Sequence, residues 1–226
     1  MTTMATSRPI AAVLFDLDGT LADTLADIAA AMDRVLSAAR LPTHGRDAYR
    51  RFVGSGARAL VERALAATER HRIDEHLAQF IEEYTAHLVV DSRPYPGIDD
   101  MLTALAARTR PPALAVLSNK PHAATERVVG ALFPTAPFQR VYGHRADWPK
   151  KPDPRAALAL AGELGVAADA CLFVGDTAVD METAARAGMT GVGCAWGFRD
   201  RDELVVAGAS VVIDQPMDLL ELVTAR

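Results

Sequence analysis

Val13-Leu14-Phe15-Asp16-Leu17-Asp18-Gly19-Thr20-Leu21 is the stretch on which the fold of this chain turns. With Ile10 it forms an apolar run of the kind found in strands buried on both faces of a parallel sheet. The run ends in two aspartates one residue apart. Alternation of side chains along an extended chain lets Asp16 and Asp18 point the same way as the chain leaves the sheet. Like charges held that close repel, and a hard cation bound through oxygen or a shared proton offsets the cost. Gly19 allows a tight turn and a close approach of backbone to a ligand. A solvated Asp-Gly turn would explain the same residues in isolation, but matching pieces recur downstream.

The rest of the chain narrows the class. Its 226 residues are enough for a full core plus an insertion, and half of them are hydrophobic against 23% charged. A formal net charge of -5 leaves no electrostatic footprint for nucleic acid. No apolar run reaches membrane-spanning length. The opening residues, MTTMATSRP, lack the apolar core of a secretory signal and read as a disordered lead-in. Cys171 and Cys194 lack zinc-ligand spacing and read as buried free thiols, which fits a reducing, cytoplasmic setting. The only lysines are Lys120, Lys150 and Lys151, each in a loop after a candidate strand.

From Ala22 to about Leu41 the apolar positions Leu25, Ile28, Ala29, Met32, Val35 and Leu36 recur at helical spacing. Pro42, Thr43, His44 and Gly45 end that segment. Further helices are expected from Asp47 to the Gly54-Ser55-Gly56 turn, from Ala57 to about Glu69, and from Ile73 to about Val89. Residues 22–92 therefore form a helical insertion with no strand, bounded by Pro94, Pro96 and Gly97, between residues 1–21 and 93–226. Beyond Gly97, strands at 113–117, 140–142, 170–174, 191–195 and 210–213 alternate with helices. That alternation predicts an α/β core, a Rossmann-like parallel sheet with helices on both faces.

In open α/β sheets ligands bind beyond the carboxyl ends of the strands. That edge would collect Asp16, Asp18, Ser118, Asn119, Lys151, Asp176 and Asp180. The carboxylates suit Mg²⁺, which takes a few carboxylates with water and phosphate oxygens. Ser118, Asn119 and a lysine can donate to phosphate oxygens.

Four ordered motifs carry a resemblance: Asp16-Leu17-Asp18-Gly19-Thr20, Ser118-Asn119-Lys120, Lys151-Pro152-Asp153-Pro154 and Gly175-Asp176-x-x-x-Asp180. On these the chain resembles the haloacid dehalogenase superfamily phosphatases with a helical cap inserted after the first motif. The resemblance implies a Mg²⁺-dependent phosphomonoester hydrolase acting on a small phosphorylated metabolite, as a monomer or homodimer. Asp16 would be the nucleophile and Asp18 the general acid and base. Asp16, the main-chain carbonyl of Asp18, and Asp176 would hold Mg²⁺, with Asp180 in support. Ser118 and Lys151 would hold the phosphoryl oxygens, with Asn119 and Thr20 beside the substrate. Asp180 also reads as a first-turn acid of the helix it opens. Lys120 and Lys150 read as solvent-facing neighbours, with Lys120 close enough to Ser118 to matter, and Trp196 as a core aromatic or one packed near the mouth of the site.

Asp18 separates phosphatases from the dehalogenases, whose leaving group needs no proton. The absence of lysine from Ala22 to Pro96 removes the Schiff base that phosphonate-cleaving relatives form on a cap lysine. Gly175 before Asp176, where related phosphosugar mutases often carry Glu, favours hydrolysis over transfer. A non-catalytic metabolite binder would be expected to lack Asp16, Asp18 or Lys151. The segment Val53-Gly54-Ser55-Gly56-Ala57-Arg58-Ala59-Leu60 resembles the cap loop of phosphoglycolate phosphatases, including bacterial enzymes acting on N-acetylmuramic acid 6-phosphate. Its Gly-rich turn opening a helix suits an anion, and Arg58 either pairs with a substrate carboxylate or is solvated.

Overall fold

A computed structural model describes residues 9–224. Apart from Pro9, the expected lead-in lies outside the described residues. Strand β1 (Ala12–Phe15) is buried along its whole length. β2 (Ala22–Asp23) follows, then helices α1 (Leu25–Ala38), α2 (Arg46–Phe52), α3 (Ala57–Ala64) and α4 (Ile73–Ala86), and β3 (Arg93–Pro94). The alternating half comprises α5 (Ile98–Ala106), β4 (Ala113–Pro121), α6 (His122–Leu132), β5 (Phe138–His144) and α7 (Arg155–Glu163). It ends with β6 (Cys171–Gly175), α8 (Ala178–Ala187), β7 (Thr190–Cys194), α9 (Arg201–Val206), β8 (Val211–Ile213) and α10 (Leu219–Thr224).

Six strands form one parallel sheet in the order β5-β4-β1-β6-β7-β8. β1 is central, which explains why it carries no polar residue: both its faces are covered. Val13 and Phe15 join the larger core with Met101 and Leu105 of α5 and Val128 of α6. Ala12 and Leu14 point into a second core with Leu160 of α7 and Ala184 of α8. The sheet is thus the middle of three layers, as the sequence pattern predicts.

Four details differ from the sequence-based expectation. Ala22 and Asp23 are not helical but pair antiparallel with Pro94 and Arg93. This short ribbon carries the two chain crossings between the sheet and the helical block, so the block is not free of strand. The expected helix from Ala57 to Glu69 ends at Ala64, and residues 67–72 continue as a 3-10 turn. β4 runs on to Pro121, carrying Ser118, Asn119 and Lys120 with it. β5 spans seven residues, because its edge position tolerates the polar side chains that obscured it.

The helical block is tied down at its return crossing. Buried Asp27 of α1 accepts from the backbone N–H groups of Val90, Asp91 and Ser92 at 3.1, 2.9 and 2.9 Å, and from the Ser92 hydroxyl at 2.5 Å. One buried carboxylate therefore satisfies three successive backbone donors of the turn that leads into β3.

Candidate active site

Strand register assembles the site. Phe15 lies level with Val116 of β4 and Val174 of β6, so Asp16, Ser118 and Asp176 all fall within two residues beyond that row. The backbone N–H of Asp16 donates to the Val174 carbonyl at 2.9 Å, which keeps it on the sheet edge. Asp16, Asp176 and Asp180 present carboxylate oxygens within 4.8 Å of one another, all buried. Lys151 lies between two of them, with Nζ 2.8 Å from Asp16 Oδ1 and 2.7 Å from Asp180 Oδ1.

Electrostatics follow from that crowding. Burial, together with Asp180 and Asp18, pushes the Asp16 carboxyl up to about 7 although Lys151 pulls it down. Burial and the charges of Asp180 and Asp16 hold Asp176 well above the ordinary carboxylate range. Burial disfavours the charged form of Lys151, but Asp16 and Asp180 outweigh it and keep the ammonium protonated. Three buried carboxylates facing one cation leave the cluster short of positive charge, and an all-oxygen donor set of this kind fits a hard divalent cation. The backbone is cut back to make room: a Cβ on Gly19, whose φ is +89°, would lie 2.2 Å from Asp176 Oδ2, and one on Gly197 would lie 2.2 Å from Asp176 Cβ. Asp176 is fixed by the Thr20 hydroxyl at 3.1 Å and the Phe198 N–H at 2.8 Å.

Asp180 occupies the third position of α8, where Oδ2 accepts from the backbone N–H and the hydroxyl of Thr177 at 3.1 and 2.7 Å. It is the first-turn acid of its helix and a member of the carboxylate trio at once. The Asp18 carboxylate is not part of that trio, so its candidate role toward a cation rests on its main-chain carbonyl. Its side chain instead accepts from the Thr24 hydroxyl at 2.5 Å and from Lys120 Nζ at 2.6 and 2.7 Å on its two oxygens.

Lys120 is the clearest correction to the sequence reading. Its side chain is 3% exposed rather than solvent-facing, because β4 continues past Ser118 to Pro121 and carries Lys120 over the site. Its rarity in a chain with three lysines was the available signal. Lys150 is half-buried beside the Gly56 turn rather than solvated, and burial and nearby Arg58 lower its pKa. Trp196 is partly buried and packs against the larger core, as its reading as a core aromatic expects, with its indole N–H donating to the Thr20 carbonyl at 2.9 Å.

Asp16, Asp18, Ser118, Asn119 and Lys120 line one cavity, whose far wall is formed by the 53–57 turn and by Leu60, Phe80 and Tyr84 of the helical block. The Asn119 amide is spent on structure: it donates to the carbonyls of Gly54 and Lys151 at 3.2 and 3.1 Å and accepts from the Lys151 N–H at 2.8 Å. It therefore fixes the lysine loop and the 53–57 turn against the sheet. Thr20 is fully buried and acts on Asp176. Arg58 is not brought to the cavity: its exposed guanidinium pairs with Asp74 at 2.5 Å. Tyr84, which sequence reasoning passed over, stacks on Phe80 and keeps its hydroxyl protonated, burial pushing it up to about 12.

A parallel sheet with an acid-lysine centre at its carboxyl edge and helices inserted behind the first strand defines a hydrolase class. The chain belongs to the haloacid dehalogenase-like hydrolase family, whose match covers residues 10–188. It is 38% identical over 220 residues to the phosphoglycolate phosphatase of Pseudomonas putida, covering 92% of this chain and 78% of that one. It is 32% identical over 210 residues to the phosphoglycolate phosphatase of Aquifex aeolicus, covering 93% and 95%. A solved Lactobacillus delbrueckii subsp. bulgaricus structure assigned as a phosphoglycolate phosphatase superposes with a TM-score of 0.88 at 27% identity, covering 97% of this chain and all of that one.

Proposed function

We propose that this hydrolase is a Mg²⁺-dependent phosphomonoesterase working through phosphorylated Asp16, with 2-phosphoglycolate as its substrate. The observation that carries the reading is that Asp16 and Asp18 open onto one cavity while Asp16 also belongs to the buried carboxylate trio. The names of the sequence relatives support the substrate. Residues 22–92 act as a cap over the sheet edge. Two buried free thiols suit a cytoplasmic setting.

An Asp16 oxygen attacks phosphorus, and the bond to the leaving alkoxide breaks as Asp18 delivers a proton to it. Asp18 then takes a proton from the water that attacks the phosphorus of the aspartyl-phosphate, which frees phosphate and regenerates Asp16. Ser118 and Lys151 offset the charge on the transferring oxygens. Asp16, Asp176 and the Asp18 carbonyl would hold Mg²⁺, with Asp180 in support, and the cation supplies further neutralisation of the phosphoryl charge when bound. The shielding of the cavity by the helical block keeps bulk water from the intermediate.

The test is phosphate release, with Mg²⁺ and with EDTA, across 2-phosphoglycolate, N-acetylmuramic acid 6-phosphate, glucose phosphates and pyrophosphate. Mg²⁺-dependent release concentrated on 2-phosphoglycolate is the expected result. Release concentrated on N-acetylmuramic acid 6-phosphate would keep the reaction and replace the substrate; none from any ester by folded protein would remove the phosphatase reading.

A further inference from the structure

The cavity above Asp16 and Asp18 has a charge pattern that bears on which esters it admits. Its lining includes two carboxylates and a single cation, Lys120. Lys151 lies below it among the carboxylate trio, and Arg58 is turned to Asp74 outside it. An ammonium has three N–H donors. Two are accounted for by the oxygens of Asp18 at 2.6 and 2.7 Å. Lys120 also stands over the Tyr84 ring, 4.8 Å from its centroid, and interacts with the Tyr84 hydroxyl. The Tyr84 hydroxyl is buried and makes no well-formed hydrogen bond among the described residues. An orphaned buried hydroxyl is costly, and a ligand that supplies its acceptor recovers that cost. The Lys120 ammonium and the Tyr84 hydroxyl therefore share the same small space, the hydroxyl's own hydrogen has no acceptor among the described residues, and both lie next to the residue expected to protonate the leaving group.

We propose that Lys120 and the Tyr84 hydroxyl form the subsite for the carboxylate at the distal end of the leaving group. This rests on the phosphomonoesterase reading and gives its substrate class a structural basis. The acceptor must be anionic, since it competes with Asp18 for the ammonium, and it must be short, since Tyr84 and Asp18 both approach Lys120. A two-carbon leaving group ending in a carboxylate meets both conditions. Taking up that carboxylate draws Lys120 off one Asp18 oxygen and leaves that oxygen free to face the leaving group. Recognition of the distal charge and placement of the Asp18 carboxylate are thus set by the same side chain. Lys120 is a specificity residue that also positions Asp18.

The experiment compares 2-phosphoglycolate with 2-hydroxyethyl phosphate, which keeps the two-carbon chain and replaces the carboxylate by a neutral group. Steady-state kinetics are measured on the wild type and on Lys120→Met, Lys120→Arg and Tyr84→Phe, with folding checked by thermal unfolding. Binding of both esters to Asp16→Asn, with and without Lys120→Met, is measured by calorimetry in Mg²⁺. The wild type is expected to prefer the carboxylated ester in kcat/KM by about 10- to 100-fold, the range of one or two charge-assisted hydrogen bonds. Lys120→Met should erase that preference chiefly through KM, Lys120→Arg should retain part of it, and Tyr84→Phe should lower it by a smaller factor. Should Lys120→Met not fold, the Arg and Phe variants decide alone.

Equal losses on both esters would reduce Lys120 to an Asp18 positioner and overturn the subsite, as would a wild type that hydrolyses both equally. If neither ester is hydrolysed yet calorimetry shows carboxylate-dependent binding lost with Lys120, the subsite stands and the phosphatase reading falls. Absence of binding to either overturns the subsite.

Discussion

Replacing Lys151 with methionine keeps most of the side chain's volume and removes the cation shared by Asp16 and Asp180. The ammonium stands 2.8 and 2.7 Å from their oxygens, and the three side chains are 2%, 7% and 0% exposed. Breaking a buried pair by removing one partner costs about 3–5 kcal/mol. In a chain of this size each kcal/mol lowers Tm by about 2–4 °C, so the expected loss at pH 8 in EDTA is about 6–20 °C. The loss should depend on pH with a definite sign. Asp16 titrates near 7 in the folded protein against an ordinary 3.8, so the folded state holds a proton that the unfolded chain releases. Stability attributable to this group therefore falls as pH rises from about 4 through 7. Without Lys151 the folded-state value moves higher still, the window widens upward, and the gap between variant and wild type grows with pH. Mg²⁺ should recover part of the loss, because a cation bound only to the folded state stabilises it. Thermal unfolding at pH 5.5 and pH 8, in EDTA and in Mg²⁺, reads all of this. A variant within about 2 °C of wild type at pH 8 in EDTA, or a larger loss at pH 5.5, would refute the reasoning.

Asp16→Asn should abolish phosphate release while leaving Tm at or above that of the wild type in EDTA, since it removes a buried charge; residual Mg²⁺-dependent turnover would deny Asp16 the nucleophile's role. Gly19→Ala places a methyl where Asp176 Oδ2 stands, in a left-handed backbone, and should cost about 1–3 kcal/mol and weaken Mg²⁺ binding more than tenfold by calorimetry. Asp27→Ala strips four hydrogen bonds from the return crossing and should lower stability by about 2–4 kcal/mol in urea unfolding, with faster backbone exchange at residues 90–92. Arg58→Ala should change KM for 2-phosphoglycolate less than twofold and stability by less than about 1 kcal/mol, because its partner Asp74 is exposed; a tenfold rise in KM would return Arg58 to the site.

The sequence alone determined the layered α/β core, and it placed Asp16, Asp18, Ser118, Lys151, Asp176 and Asp180 together at one sheet edge. These are legible because a parallel strand buried on both faces admits no polar residue until it ends, so the first polar residues mark the sheet edge. The ends of neighbouring strands are adjacent whatever the intervening sequence. What the tertiary structure alone decided is where ambiguous polar side chains point. Lys120 reads as a solvent-facing neighbour of the site, and Arg58 as either a partner for a substrate carboxylate or a solvated cation. Only the extension of β4 to Pro121 buries the first on Asp18, and only the local pairing with Asp74 keeps the second outside the cavity. The same holds for Asp27, Asn119 and Tyr84, whose roles arise from partners dozens of residues away. Periodicity records which face a residue occupies, but hydrogen bonds and ion pairs across elements depend on distances that the folded chain sets.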